Sequence, residues 1–350
     1  MKKLLEIAHR MDDYACMWNG VEDLYIRDTG ETLPPKFFYV LSGFGSFCYM
    51  KTPKAELKRM VALGDGRTRQ MYEFLAPIVG FDYRIYECKT FEKALSKIKS
   101  EIDAGFPCMI GALDMFYLPH FEKLYHKEHI PFHYELITGY DDTEKLLYFS
   151  DCGREDTQFI SYDDLRLAMD CSYPGLSKPN TVWTIRMHTN KGKYEIAKEA
   201  FARKKELFLH PPVGFIGCRG FEKFIKELPH WKSELSREDY DKQLYQMVQF
   251  FGTVPTVPNA LRGIGEPDSI AFGGGFDKAA VVLESLGKEY HDKAMLATSE
   301  IFRRAVPVIG QIKENIVDYL TGKKDETEQL PLLFSQVADI MKAGFETLPL

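Results

Sequence analysis

Pro131-Phe132-His133-Tyr134-Glu135-Leu136-Ile137-Thr138-Gly139-Tyr140-Asp141-Asp142, followed by Leu146-Leu147-Tyr148-Phe149-Ser150-Asp151, contains two apolar and aromatic runs separated by a short turn rich in Gly and Asp. Runs of this length bounded by turn residues predict an antiparallel hairpin. A turn centred on Asp142 sets His133 directly opposite Asp151. Facing residues of such a pair lie ~4.5–5.5 Å apart, so an imidazole on one strand reaches a carboxylate on the other. Glu135 is the competing acid, because residues two apart share a strand face. His120, His126 and His129 lie just upstream, and spacing alone does not choose among the four histidines. His126 and His129 stand three apart without a third ligand at a recognisable spacing, so no metal site is expected.

Outward from the hairpin, residues 1–192 mix α and β character. Thr90–Ala104 has helical periodicity, Pro107–Leu113 is an apolar run, and Thr181–Met187 supplies a closing strand. Beyond the polar stretch Thr189–Lys193 the pattern becomes helical: Tyr194–Phe208, Phe221–Leu228, Arg237–Phe251, Phe276–Leu286, Tyr290–Tyr319 and Gln329–Phe345. The expected organisation is therefore an α+β domain over 1–192 and a mainly α-helical domain over 193–350. Gly252–Gly275, rich in Gly and Pro, is long enough to be a functional loop.

With 350 residues, 45% of them hydrophobic and 27% charged, the chain has the material for two packed cores. Its 45 Lys and Arg against 51 Asp and Glu leave a net charge of −6, which offers no positive field for nucleic acid. No apolar run approaches the roughly 18 residues of a membrane helix. Met1-Lys2-Lys3-Leu4-Leu5 resembles the start of an export signal, but Glu6, His9, Arg10, Asp12 and Asp13 interrupt it. The 7 cysteines include no CxxC pair, so reduced thiols in a cytoplasmic protein are expected.

One of those thiols sits where chemistry is favoured. Asp12 and Asp13 are suited to capping a helix that continues to a stop at Gly30, placing Cys16 in the first turn. Free N–H groups and the positive end of the helix dipole stabilise an anion there, and the thiolate is the nucleophilic form. A small buried cysteine is the plainer alternative, as it is for Cys48, Cys88, Cys108, Cys152 and Cys171. Asp114 is either a cap on the following turn or an acid at a pocket wall. Gly43-Phe44-Gly45-Ser46 either lets backbone approach a substrate or is a plain turn. Gly214-Phe215-Ile216-Gly217 and Gly263-Ile264-Gly265 lack the strand and acid of a dinucleotide site.

An early cysteine helix, then a strand histidine, then a carboxylate on the next strand resembles the papain-like cysteine peptidases, in particular the bacteriocin-processing ones. The fuller resemblance is to the butirosin biosynthesis protein H family. It rests on Cys16 with Gly30, on Leu41-Ser42-Gly43-Phe44-Gly45-Ser46-Phe47-Cys48-Tyr49, on Leu113-Asp114-Met115-Phe116-Tyr117-Leu118-Pro119, and on His133 to Asp151 with Ile160-Ser161-Tyr162-Asp163-Asp164-Leu165. The helical half, around Gly214–Gly220 and Gly273-Gly274-Gly275, is similar to that family's second domain.

The resemblance implies a papain-like catalytic domain with a helical accessory domain. It implies an acyltransferase in secondary metabolism that moves an acyl or aminoacyl group from a carrier-protein or CoA thioester to a small-molecule amine. Cys16 is then the nucleophile, His133 the base and Asp151 its orienting partner, with Asp114, Tyr117, Gly43 and Gly45 near the substrate and no cofactor. An amidase or peptidase with the same three residues and a non-catalytic binding protein are the alternatives, and self-association stays open.

Overall fold

The computed structural model describes residues 1–12, 15–172, 178–249 and 275–348. In chain order the first elements are β1 (Lys2–Leu4), α1 (Cys16–Thr29), α2 (Phe37–Gly43), β2 (Phe47–Lys51), β3 (Arg59–Leu63), α3 (Thr68–Val79), β4 (Phe81–Glu87) and α4 (Phe91–Asp103). They are followed by β5 (Cys108–Leu113), β6 (His133–Asp141), β7 (Leu146–Ser150), β8 (Gln158–Ser161), α5 (Tyr162–Met169) and β9 (Thr181–Met187). Helices then take over: α6 (Lys193–Leu209), α7 (Gly217–Glu227), α8 (Trp231–Glu234), α9 (Arg237–Gln249), α10 (Gly275–Glu289), α11 (Lys293–Arg303), α12 (Ala305–Leu320) and α13 (Leu330–Thr347). The expected mix of an α+β first part and a helical second part is what the chain adopts. Among the described residues no helix is long and apolar enough to cross a membrane.

Contacts group the chain into two units, Met1–Phe38 with Arg67–Lys193, and Tyr39–Gly66 with Tyr194–Leu350. The cut expected at residue 192 thus misses an exchange: a stretch of the N-terminal sequence, containing β2 and β3, groups with the helices. The reason is aromatic. Phe47 stacks on Phe221 at 3.9 Å, and Tyr49 lies against Phe224 and Trp231. Phe44 packs against Phe276, Phe302 and Phe345. Burying rings of this size contributes ~1.5–3 kcal/mol each, enough to decide where a short ribbon belongs.

The helix expected over Tyr290–Tyr319 is two helices. Asp292 accepts from the Ala294 and Met295 amides and so opens α11. Pro307 has no N–H to give the Arg303 carbonyl, and the backbone restarts at Ala305. The Gly252–Gly275 loop lies, up to its last residue, outside the described residues.

The first unit is an antiparallel seven-stranded sheet in the order β4-β9-β5-β6-β7-β8, with β1 pairing β6 beyond the end of β5. Every residue of β5 and β6 is buried, as central strands between packed layers require. Helix α4, capped by Thr90, packs on β5, β6 and β9. Helix α1 packs on β6 and β9 and ends at Gly30, whose φ of 71° only glycine adopts without strain.

A side-chain-free position sets the approach of α1 to β6. A Cβ on Gly20 would lie 2.7 Å from Leu136 Cβ, so only hydrogen lets the helix come this close. Cys16 is one turn before Gly20 on the same helix face. The close approach at Gly20 is therefore what brings the start of α1 to the start of β6. Gly20→Val is expected to cost about 1–3 kcal/mol through overpacking, read as a lowered unfolding midpoint in urea. A displaced helix start should also slow any reaction that uses Cys16 by roughly 100-fold, since a shift of about 1 Å in a reacting group has that effect. Normal kinetics in a folded Gly20→Val protein would show that α1 tolerates a wider spacing.

Candidate active site

Cys16 is the first residue of α1. The expected cap differs in form: Ala15 occupies the N-cap and supplies no side-chain hydrogen bond. Asp13 lies outside the described residues. Asp12 is used elsewhere, accepting from the Lys36 amide at 2.5 Å and pairing with Arg10 at 3.3 Å. Arg10 also bonds Glu22 at 2.5 Å, and Asn19 donates to the Arg10 carbonyl at 2.7 Å. Burial, with Asp12 nearby, pushes the Glu22 carboxyl up to about 8. Asp12, expected to cap the helix, instead bonds Arg10 and the Lys36 amide.

His133 begins β6 and is 5% exposed. Its Nε2 lies 2.6 Å from Asp151 Oδ2, and because a carboxylate only accepts, Nε2 carries the proton. The other ring nitrogen, Nδ1, is left for Cys16, whose sulfur is near enough to favour the charged imidazole. Burial disfavours a charged imidazole here, but the Asp151 carboxylate and the Cys16 sulfur outweigh it and hold His133 well above the usual histidine range. Asp151 is likewise buried, which opposes its charge, yet His133 and His120 pull it far below the usual carboxylate range. Its second oxygen accepts from the Gly153 amide at 2.9 Å, fixing the rotamer.

The structure thus brings together Cys16, His133 and Asp151, though by a register other than the expected one. Near the turn the pairs are Asp141 with Leu146, Tyr140 with Leu147 and Gly139 with Tyr148, so the turn centre lies beyond Asp142. Continued unbroken, that register would put Asp151 opposite Leu136, on the wrong face of β6. A bulge between Ile137 and Gly139 resets it, giving Ile137 with Phe149 and Leu136 with Ser150. One step further, Asp151 shares the face of Glu135 and His133, and its carboxylate reaches diagonally to the imidazole. Thr138, the extra residue, gives its carbonyl to the Leu5 amide at 2.8 Å.

Glu135 does not take the place of Asp151 beside His133. It is completely buried, which pushes its carboxyl up to about 8, and His120 Nε2 lies 3.4 Å from its Oε1. Sequence spacing gave no reason to pick His120, which arrives from the segment between β5 and β6. A second missed residue is His9. Its Nδ1 pairs with Asp23 of α1 at 2.6 Å and its Nε2 lies 2.9 Å from the carbonyls of Asp151 and Arg154. Burial works against charge on His9, but Asp23 and the two carbonyls raise it above the usual range. His9 so binds the helix bearing Cys16 to the turn bearing Asp151.

The residues expected around a substrate fare unequally. Asp114 is a cap: its carboxylate accepts from the Phe116 and Ile130 amides, each at 3.1 Å, and pairs with His129 at 2.6 Å. Tyr117 follows in the short 3-10 turn, half-buried beside the rings of His126 and His129. Gly43 ends α2 and, like Gly45, falls in the other unit from Cys16. Gly45 has φ 85°, and a Cβ there would meet Phe345 at 2.6 Å, so packing within its own unit already explains that glycine.

A sulfur beside an imidazole whose far nitrogen is held by a carboxylate is an arrangement for nucleophilic chemistry. Residues 15–152 match the family described as Butirosin biosynthesis protein H, N-terminal, and residues 163–254 match a domain of unknown function (DUF4872). The first of these segments is thus similar to the butirosin biosynthesis protein H family. The two matches meet between Cys152 and Asp163, ahead of β9. No curated protein matches the chain.

Proposed function

We propose that this protein is a cysteine-dependent acyltransferase of secondary metabolism, built on a papain-like arrangement, which carries an acyl or aminoacyl group from a thioester to an amine. The observation that supports the reading best is the His133 imidazole, charged under the influence of Cys16 and Asp151, with the acid gripping the proton-bearing Nε2 at 2.6 Å. The family match to a biosynthesis protein supports the metabolic setting.

In the proposed reaction the Cys16 sulfur attacks the thioester carbonyl while its proton sits on His133. The tetrahedral adduct collapses, its C–S bond to the donor breaks, and the departing thiolate takes the proton from His133. The acyl group is now on Cys16. An amine then attacks that carbonyl, His133 accepts the amine's proton, and the Cys16 thiolate leaves. The N-cap Ala15 makes no side-chain hydrogen bond to the first turn, and the Cys16 N–H serves as an oxyanion donor. The donor is a carrier-protein or CoA thioester and the acceptor a small-molecule amine.

Mass spectrometry of the intact chain after incubation with aminoacyl-pantetheine thioesters tests this. One acyl group on the Cys16 peptide, discharged by added amines faster than by water, is the expected result. Discharge by water at an equal rate would make the protein a hydrolase, and no adduct with any donor would favour a binding protein. Iodoacetamide labelling gives a parallel check. Burial pushes the thiols of Cys88, Cys108 and Cys171 up, the last to about 12, so these should label slowly, and Cys16 first.

A further inference from the structure

Behind the Asp151 carboxylate lies a group of atoms that the proposed reaction does not use. His120 Nε2 stands 3.4 Å from Glu135 Oε1 and 3.6 Å from Asp151 Oδ2. Both ring nitrogens of His120 and both carboxyl oxygens of Glu135 lack a hydrogen-bond partner. The side chains are 5% and 0% exposed. Buried polar atoms are almost always partnered, and four orphans in one place call for a ligand held between them. One ligand atom each from His120, His133, Glu135 and Asp151 lies within 4.8 Å of the others.

We propose that this cluster is a binding site for a divalent transition metal of the Zn2+ type, held by His120 Nε2, Glu135 Oε1, Asp151 Oδ2 and, on binding, His133 Nε2. Tetrahedral zinc with N and O ligands at about 2.0–2.2 Å sets its donors about 3.4 Å apart, which the distances of 3.4 and 3.6 Å from His120 to Glu135 and Asp151 already match. Two imidazoles with two carboxylates suit Zn2+ better than Mg2+ or Ca2+, which prefer all-oxygen shells. The rings of Phe121 and Phe149, centred 4.4 and 5.1 Å from that of His120, make the apolar wall that such a site needs.

His133 Nε2 and Asp151 Oδ2 are only 2.6 Å apart, too close for two ligands of one metal. Metal binding must therefore break the hydrogen bond between them. The metal takes the carboxylate that orients the imidazole, and it takes the imidazole that faces Cys16. The inhibitory consequence rests on the acyltransferase reading; the binding itself does not.

Titration of the full chain with ZnCl2 against a chromophoric chelator, in a thiol-free reductant, tests the site. One equivalent should bind with a dissociation constant of ~1 μM or tighter. Glu135→Gln, which keeps the shape, and His120→Ala should each weaken binding at least ~10-fold, whereas Cys16→Ser should bind as the parent does. Co2+ should give tetrahedral d–d bands without a thiolate charge-transfer band, a readout that does not depend on activity. Loss of binding in Cys16→Ser, with a thiolate band in the parent, would overturn the assignment, as would no binding at tens of micromolar. If metal binds as expected while the metal-free protein shows no acyl transfer, the site stands and the acyltransferase reading alone fails; metal binding that lowers neither labelling of Cys16 nor acyl transfer would overturn the assignment of His133 and Asp151 as ligands.

Discussion

Cys16→Ala is expected to lower acyl transfer by about 10⁴-fold or more and to abolish the acyl adduct, because no other group in the cluster can form the covalent intermediate. The readout is release of the donor thiol, followed by liquid chromatography with mass spectrometry, alongside the intact mass of the protein. The change should leave the fold alone. Cys16 is at a helix start where Ala is acceptable, Ala15 rather than Cys16 occupies the cap, and α1 is held through Asn19, Glu22, Asp23 and the close contact of Gly20. Helix α3 also fixes it through Tyr72, whose hydroxyl donates to the Met17 carbonyl at 2.6 Å. Cys16→Ser separates nucleophilicity from size, since its hydroxyl fits the same space. Turnover retained in the alanine protein would remove covalent catalysis, leaving His133 to act on a bound acceptor directly.

Much of this site was legible before any coordinates, and the parts that were not share a cause. The place of Cys16 in the first turn of α1 and the stop at Gly30 followed from local signals, and so did the strands that became β5, β6, β7 and β9. Those signals are local because a capping glycine or an alternation of side chains acts within a turn or two of chain. The partnership of His133 with Asp151 also emerged, but for an inexact reason. The true turn lies beyond Asp142, and the bulge at Thr138 restores the shared face that the turn alone would have lost. Bulges carry no strong sequence mark, and Thr138 is not even a glycine.

Non-local packing was the harder part. That Tyr39–Gly66 leaves the first unit for the second depends on stacking such as Phe47 on Phe221, a pairing no periodicity announces. His9 and His120 reach the site from segments whose own sequence looks like plain loop. Charge misled as well: Asp12 has the chemistry of a cap, yet Arg10 and the Lys36 amide compete for it more effectively. Residue types suited to a role do not choose between partners near in sequence and partners brought near by folding.

His133→Ala is expected to reduce transfer by ~10²–10⁴-fold, and Asp151→Asn by less, since the acid works through the base. Asn at 151 can still accept from the Gly153 amide, so the turn keeps its shape, but it offers no charge to hold the imidazolium. The double variant should be no slower than His133→Ala alone, because once the imidazole is gone its partner has nothing to orient. Additive losses would instead mean that Asp151 contacts the substrate itself. Glu135→Gln is the control that tests the register, for Glu135 and Asp151 share a face and differ in which reaches His133. A larger loss at Glu135 than at Asp151 in steady-state kinetics would transfer the orienting role to Glu135 and would place the working proton relay through His120, which lies 3.4 Å from Glu135 and 3.6 Å from Asp151.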